Sequence, residues 1–165
     1  MIDYARFDSP LGTILAAARG GALVRLDFED AKYAPRLVEG WRAAPPGAAL
    51  FAECGRQLGE YFAGERHAFD LPIHFEGTPF QQRVWKQIER IQYGHTITYS
   101  ELARRAGASG SARAAGAATG RNPIAIVVPC HRVLGSGGAL TGYAGGLARK
   151  TRLLEIEGVL LEATA

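Results

Sequence analysis

The sequence is poor in sulfur and lacks long hydrophobic runs. Its 165 residues include 2 cysteines and 1 methionine. Two cysteines are too few for the disulfide framework of a small secreted protein. No apolar segment approaches the roughly 20 residues of a membrane-spanning helix. Residues 1–10 lack the basic segment and apolar core of a signal peptide. These absences predict a cytoplasmic protein with reduced cysteines and no membrane partner.

Acidic residues are scarce in one part of the chain. Residues 78–152 carry 11 Lys and Arg against 2 Asp and Glu, whereas residues 1–77 carry 8 against 11. Such a basic segment indicates a polyanionic partner, because phosphate contacts need clustered cations. A basic surface kept for solubility is the alternative. The change in character near Thr78 also predicts two domains, at residues 1–75 and 76–165.

The first domain is predicted to be a small α/β unit. Three strands and a helix are expected, at residues 2–7, 13–18, 22–28 and 50–63. Gly20 and Gly21, between two apolar runs, indicate a β-hairpin, and Gly64 can end the helix. No catalytic constellation is apparent in this domain. Cys54 lies on the apolar face of the helix, which favours a packing role.

The second domain is predicted to contain a helix-turn-helix. Residues 78–81 form a capping-box pattern that starts a helix, which we expect to end at Gly94. A second helix begins after Thr98, and a third spans residues 111–120. Two short helices joined by a glycine-containing turn in a basic region are typical of a helix-turn-helix. Helical hairpins without a DNA partner share this pattern.

The third predicted helix consists almost wholly of small residues. Recognition helices usually carry long polar side chains that reach base edges in the major groove. Here only Arg113 and Thr119 have longer side chains, and Ala112 begins a run of alanine and glycine. A slim helix suits close approach in the minor groove with little sequence readout, so we expect Ala112, Arg113 and Thr119 to contact DNA. Burial of the helix by close packing is the alternative.

Cys130 follows an apolar run, residues 124–128, that we expect to be a buried strand. A cysteine becomes a nucleophile when its thiolate is favoured and partly accessible, and His131 and Arg132 supply positive charge nearby. Adjacent side chains in an extended segment point in opposite directions. A contact between Cys130 and His131 therefore needs a turn or a bridging water, and the preceding proline is suited to set a turn.

A histidine that assists a nucleophile needs an orienting partner. Glu155 and Glu157 are the acidic candidates, and Glu157 shares a helix face with leucines, so we expect it to point inward and to be that partner. The glycine-rich residues 135–146 permit close backbone contact with a ligand, and their Tyr143 can donate a hydrogen bond or stack. Asn122 can tie the third helix to the cysteine segment.

Three other roles for Cys130 explain the sequence less well. A structural core thiol does not account for the neighbouring basic residues or the glycine-rich segment. A metal ligand is disfavoured, because there is no C-x-x-C and His67, His74 and His95 show no ligand spacing; we expect no metal and no cofactor. A cysteine hydrolase usually takes its cysteine and histidine from separated segments, and this role leaves the basic helix-turn-helix unexplained.

The segment VPCHRV, preceded by NPIAIV and followed by GYAGGLARK and LLEIEG, resembles the O6-alkylguanine-DNA alkyltransferases, or methylated-DNA–protein-cysteine methyltransferases. The resemblance is dense over residues 78–158. It implies an α+β protein with an N-terminal ribonuclease H-like α/β domain and a winged-helix-like C-terminal domain. It also implies direct-reversal repair, in which the protein flips O6-alkylguanine out of duplex DNA and takes the alkyl group in one inactivating transfer. O4-alkylthymine stays open as a second substrate.

The resemblance assigns roles to five residues around the thiol. Cys130 would be the alkyl acceptor. His131 would hold or take the thiol proton through a water, and Glu157 would orient His131. Tyr143 would donate to the ring N3 of guanine and ease its departure. Asn122 would brace the active-site turn.

The resemblance also implies a base pocket and a DNA contact surface. Arg113 would replace the flipped base in the stack, and Tyr99 would press on the target phosphate. Backbone groups would line the guanine pocket, at Cys130, Val133, Ala144 and Gly145. Many relatives have serine at the position of Ala144, which leaves pocket selectivity open. The implied partner is duplex DNA bound through its minor groove by a monomer, with cooperative binding left open.

Two other functions compete with suicide transfer. A non-catalytic binder of alkylated DNA, like the alkyltransferase-like proteins, has another residue, often tryptophan, at the position of Cys130. A regulator that senses alkylation usually needs a further domain, for which this chain has no room. The sequence therefore favours the transferase.

Overall fold

The computed structural model describes residues 1–36, 40–159 and 161. It divides the chain into two compact units: residues 1–76 with 123–125, and residues 77–122 with 126–165. The predicted C-terminal domain extends to residue 165, and its residues 160 and 162–165 lie outside the described part. The α+β class is confirmed, because strands dominate the first unit and helices the second. Within the described residues, no helix has the length and apolar character needed to cross a membrane.

A four-stranded sheet forms the first unit. Its strands are β1 (Ile2–Phe7), β2 (Ile14–Arg19), β3 (Ala22–Phe28) and β4 (Trp41–Ala43). They lie in the order β3-β2-β1-β4, with β2 antiparallel to both neighbours and β4 parallel to β1. Gly20 and Gly21 both have positive φ between β2 and β3, which confirms the predicted hairpin.

Helix α1 (Ala49–Phe62) completes the first unit and confirms the predicted helix. Gly55 lies so close to β1 that a Cβ there would stand 3.0 Å from the ring of Phe7. Cys54 is fully buried on the inner face of the helix, with Leu58 and Tyr61. Because each turn brings a new apolar side chain to this face, α1 is stabilised by core packing rather than by its end caps.

Helices dominate the second unit. They are α2 (Pro79–Glu89), α3 (Tyr99–Arg105), α4 (Ala112–Gly120) and α5 (Leu147–Ile156). Two short strands, β5 (Ile97–Thr98) and β6 (Val133–Leu134), pair in parallel. The predicted capping box starts α2: Thr78 accepts from the backbone N–H of Gln81, whose side chain accepts from Thr78 in return.

The predicted end of α2 at Gly94 is wrong, because the helix stops at Glu89. The chain tightens there, and the N–H of Ile91 bonds to the carbonyl of Ile88, three residues back. Ile91 is nonetheless buried. Its side chain extends the apolar spacing of α2 past the last helical residue, and this spacing produced the error.

Helices α3 and α4 form the predicted helix-turn-helix. Gly107 and Gly110 have positive φ in the turn between them. One face of α4 is packed: Ala115 and Ala118 are buried, and the indole N–H of Trp85 donates to the carbonyl of Ala118 at 2.8 Å. Small side chains therefore let α4 approach its neighbours closely, while its opposite face stays exposed.

The apolar run before the cysteine is buried, but the predicted strand is wrong. Only Ile124 makes a bridge, to Leu26, and the next three residues form a turn. Ile126 has a φ of 70°, which a β-branched residue rarely adopts. The run is apolar because most of its side chains are buried in the core, and a buried turn needs apolar side chains as much as a buried strand does.

Candidate active site

Cys130 opens a 3₁₀ turn, Cys130–Arg132, directly after Pro129. The N–H of Cys130 bonds to the carbonyl of Val128, and that of Arg132 bonds to the carbonyl of Pro129. The turn replaces the extended geometry in which Cys130 and His131 would point in opposite directions. Cys130 is buried but keeps 7% of its surface exposed.

His131 and Glu157 form a buried pair. The Nε2 atom of His131 lies 2.6 Å from Oε2 of Glu157, and neither side chain is exposed. Glu157 directly follows the last residue of α5. Glu155, the other acidic candidate, is exposed and pairs with Arg152. The structure therefore brings Glu157, and not Glu155, to the histidine.

Burial and hydrogen bonding set the charges of this pair. Burial raises the pKa of the Glu157 carboxyl, but hydrogen bonds from His131 and Arg132 outweigh burial and bring that pKa to about 2. Glu157 is thus an ionised acceptor, and Nε2 of His131 donates to it. Burial lowers the pKa of His131 more strongly than Glu157 raises it. The imidazole is therefore neutral near pH 7.

The two ring nitrogens of His131 differ in their surroundings. Nδ1 is buried and has no hydrogen-bond partner among the described residues. Since Nε2 carries the proton of the neutral ring, Nδ1 holds a lone pair. It can accept a proton directly or through one water.

Asn122 connects the helix-turn-helix to the cysteine turn. Its Nδ2 donates to the carbonyl of Val128 at 2.8 Å, and its own N–H bonds to Thr119 at the end of α4. The predicted tie between the third helix and the cysteine segment is present.

Lys150 is a site residue whose role the sequence reasoning missed. Its Nζ is buried and donates to the carbonyls of Val133, Thr141 and Gly142, at 2.7, 2.8 and 3.2 Å. Burial lowers its pKa to about 8, although the charge of Cys130 acts in the opposite direction. The sequence places Lys150 on the same inward face of the last helix as Glu157, and this position could have indicated that the lysine is buried and has partners. The lysine fixes the glycine-rich segment against β6.

The predicted pocket residues flank this lysine. Val133 is fully buried, and its carbonyl accepts from Lys150. Tyr143, Ala144 and Gly145 are half-buried in the glycine-rich segment. The tyrosine, Ala144 and Gly145 therefore lie on the segment that Lys150 anchors, and Val133 lies on the strand β6 against which it is anchored.

Tyr99 is half-buried at the start of α3. Burial and the charge of Cys130 raise its pKa, so its phenol stays protonated and can act as a donor. Its hydroxyl makes a long hydrogen bond, 3.4 Å, to the carbonyl of Thr141, and Nζ of Lys150 lies 5.7 Å from its ring. Tyr99 thus joins the helix-turn-helix to the glycine-rich segment.

Three of the predicted DNA contacts lie on α4, and two of them are on its outer face. Arg113 is exposed and Ala112 is half-exposed. Thr119 is buried, and its hydroxyl donates to the carbonyl of Ala115 at 2.7 Å. Its placement does not fit the predicted contact, because a threonine hydroxyl inside a helix readily bonds to the carbonyl four residues earlier.

Comparisons with known proteins agree over nearly the whole chain. The family models "6-O-methylguanine DNA methyltransferase, ribonuclease-like domain" and "6-O-methylguanine DNA methyltransferase, DNA binding domain" match residues 2–75 and 79–159. The methylated-DNA–protein-cysteine methyltransferase of Mycolicibacterium paratuberculosis is 49% identical, over 95% of this chain and 93% of its own. That of Methanosarcina acetivorans is 46% identical, over 94% and 97%.

Two crystal structures of Mycobacterium tuberculosis proteins have the same fold. One is OGT in complex with DNA, with a TM-score of 0.86 and 46% identity over 94% of this chain and 92% of that chain. The other is the O6-methylguanine methyltransferase, with a TM-score of 0.86 and 44% identity over 99% and 97%.

Proposed function

The chain belongs to the 6-O-methylguanine DNA methyltransferase family, and from this premise we propose how its own residues carry out DNA repair by alkyl transfer. The enzyme moves the alkyl group of O6-alkylguanine to Cys130 and is inactivated by the reaction. The observation that carries the assignment is the buried series Cys130, His131 and Glu157. It lies in the same compact unit as the helix-turn-helix.

The transfer is a single displacement at the alkyl carbon. The sulfur of Cys130 forms the new S–C bond, while the C–O6 bond breaks and its electron pair stays on the guanine oxygen. The proton that leaves the thiol is balanced by the proton that guanine regains on its ring. No oxidant or reductant is needed, and the thioether product explains a single turnover.

The residues around the sulfur manage that proton. His131 takes or holds the thiol proton through a water at Nδ1, a role supported by a lone pair without a partner among the described residues. Glu157 orients the ring from its other side. Tyr143 donates to the ring N3 of guanine, and Asn122 braces the turn through Val128.

DNA is bound on the outer face of α4. We assign Arg113 to the gap left by the flipped base, Ala112 to close contact with the minor groove, and Tyr99 to the target phosphate. Flipping is required because the O6 substituent is not accessible in line within the stack. Backbone groups at Val133, Ala144 and Gly145, with that of Cys130, form the base pocket.

One copy of the chain suffices for this reaction, because the thiol, its partners and the helix-turn-helix belong to one unit. Binding as a monomer is therefore our proposal, and cooperative binding on longer DNA is compatible with it. Cys54 and Cys130 are both free thiols, which favours action in a reducing cytoplasm.

Nucleoside analysis of a repaired duplex tests the function. A duplex with a single O6-methylguanine is incubated with the wild-type protein or with Cys130→Ala, digested and analysed. We expect the wild type to restore one guanine per protein molecule and Cys130→Ala to bind equally well but restore none. A wild type that binds the lesion and restores no guanine would instead establish a non-catalytic binder of alkylated DNA.

A further inference from the structure

Arg132 makes contacts that the proposed reaction does not yet use. The sequence indicated a source of positive charge for Cys130, but the guanidinium is buried against Glu157. Nε donates to Oε1 at 2.7 Å and Nη2 donates to Oε2 at 3.0 Å. Two parallel bonds of this kind fix the plane of a carboxylate as well as its position.

Further contacts hold the guanidinium itself in place. Nη1 donates to the backbone carbonyl of Ile91 at 2.5 Å. The guanidinium carbon lies 5.7 Å from the ring centre of Tyr93, whose hydroxyl donates to the carbonyl of Ile156. Arg132 is therefore held by the segment after α2 as well as by Glu157, so the carboxylate it grips has a single orientation. In that orientation Oε2 faces Nε2 of His131.

Burial is the main cause of the lowered pKa of His131, and the charges in this cluster decide how far Glu157 can offset it. Glu157 and Arg132 together are neutral, so a proton added to the imidazole would be an uncompensated buried charge. The ammonium of Lys150 also disfavours it. A second ring proton would sit on Nδ1, which has no acceptor among the described residues. An ordinary histidine–carboxylate pair, without an arginine on the carboxylate, instead favours the imidazolium.

We infer that Arg132 is a positioning residue of the transfer: it grips and neutralises Glu157, so that His131 remains an uncharged imidazole with Nδ1 free to accept the thiol proton. Among the described residues, the charged groups that act on the His131 imidazole are Arg132 in the turn, Lys150 on α5 and Glu157 directly after it; Tyr93 lies beside the guanidinium of Arg132. Of these, Arg132 is the one whose removal leaves the Glu157 charge to be balanced by the histidine.

Nitrogen NMR of the labelled histidine tests the inference without DNA. In the wild type we expect His131 to show one protonated nitrogen, Nε2, near pH 7 and to titrate below the range of free histidine. In Arg132→Met we expect an imidazolium near neutral pH, with its titration moved upward by about one unit or more. Arg132→Lys keeps the positive charge but loses the two parallel hydrogen bonds to Glu157, so its His131 should titrate between the pH values of the wild type and Arg132→Met.

The kinetic readout rests on the proposed function. In a single-turnover assay with the methylated duplex, we expect Arg132→Met to be slower by roughly tenfold to a hundredfold, which is part of the roughly 10²- to 10⁴-fold that a positioned general base contributes. In the pH profile of its transfer rate, the loss of activity on the acidic side should move to higher pH together with the titration of His131. Arg152→Met, which breaks the exposed pair with Glu155 on α5, is the matched control and should leave both readouts unchanged.

The outcomes separate the two claims. A wild type that transfers no methyl group defeats the proposed function, while the NMR result still decides the state of His131. A wild-type imidazolium at neutral pH overturns the inference even if Arg132→Met fails to fold. A folded Arg132→Met with a neutral His131 and an unchanged pH profile also overturns it, and leaves Arg132 a purely structural role.

Discussion

Cys54 and Cys130 are both buried thiols, and their surroundings differ in kind. Cys54 lies on the inner face of α1, where burial raises its pKa to about 12. Cys130 opens a 3₁₀ turn between a proline and a histidine. A negative charge on its sulfur raises the pKa of Lys150 and the pKa of Tyr99. Burial alone makes a thiol inert, because it disfavours the thiolate.

The comparison shows what reactivity requires. The attraction between Lys150 and a Cys130 thiolate is mutual, so an ammonium at Lys150 favours the thiolate form. His131 offers a proton acceptor, and Arg132 and Glu157 fix that acceptor. Cys130 thus lies within a network of charged and polar groups, and the effect of each network member can be tested against the burial of Cys54.

The largest expected contrast is in chemical labelling. We expect iodoacetamide to label Cys130 of the native protein more than about a thousandfold faster than Cys54, because Cys54 becomes accessible only when the fold opens, at several kcal/mol. Peptide mass spectrometry of timed samples measures both rates, with unfolded protein as the control in which the two thiols react alike. Equal native rates would contradict the comparison.

The polar network should also dominate stability. We expect Glu157→Ala to lower the free energy of unfolding by about 3–5 kcal/mol, since it leaves a buried arginine without its partner. Glu155→Ala removes an exposed pair two residues away and should change stability by less than about 1 kcal/mol. Urea unfolding at constant pH gives both values. Similar losses in the two variants would show that the buried cluster adds no special stability.

Alkaline titration should reveal the burial of Cys54. Its folded pKa of about 12 lies above the ordinary value of 9.0, so the unfolded chain loses this proton first. The contribution of the protonated Cys54 thiol to the free energy of unfolding is fully present below about pH 9. Above that pH it falls, by at most about 1.4 kcal/mol per pH unit. The difference in unfolding free energy between wild type and Cys54→Ala should shrink accordingly as the pH rises. A constant difference would mean that Cys54 is less buried than described.

Lys150 should show a smaller effect of opposite sign. Its folded pKa of about 8 lies below the ordinary value of 10.5, so the native state loses this proton first. Stability then rises with pH between these values. The gain is reduced because a neutral amine makes weaker bonds to the three carbonyls. The difference in unfolding free energy between the wild type and Lys150→Met, measured by denaturant unfolding, should therefore rise with pH over this range, since the contribution of Cys54 is common to both proteins; a constant difference would refute the assigned burial.

Much of the fold could be predicted from local signals. The paired glycines at 20 and 21 specify a hairpin, and the Thr78 and Gln81 capping box specifies the start of α2. The end of α2 could not be placed, because Ile91 continues the apolar spacing beyond the last helical residue. The run before Cys130 was mistaken for a strand because a hydrophobic pattern records burial and not the φ of Ile126.

The candidate site was predicted in part. Cys130, His131 and Glu157 could be named because a reactive cysteine needs charged neighbours and an inward acid needs a partner. Arg132 and Lys150 were missed as network members, because their partners are a carboxylate already assigned to histidine and carbonyl groups scattered along the chain. Backbone acceptors of this kind have no sequence signature.

The most direct measurement is the mass of the intact protein after incubation with a duplex carrying one O6-methylguanine. We expect a gain of one methylene unit, mapped by peptide analysis to Cys130 and never to Cys54, and absent with undamaged DNA. A methylated duplex that is bound but leaves the protein mass unchanged, or a gain on Cys54, would contradict alkyl transfer to Cys130.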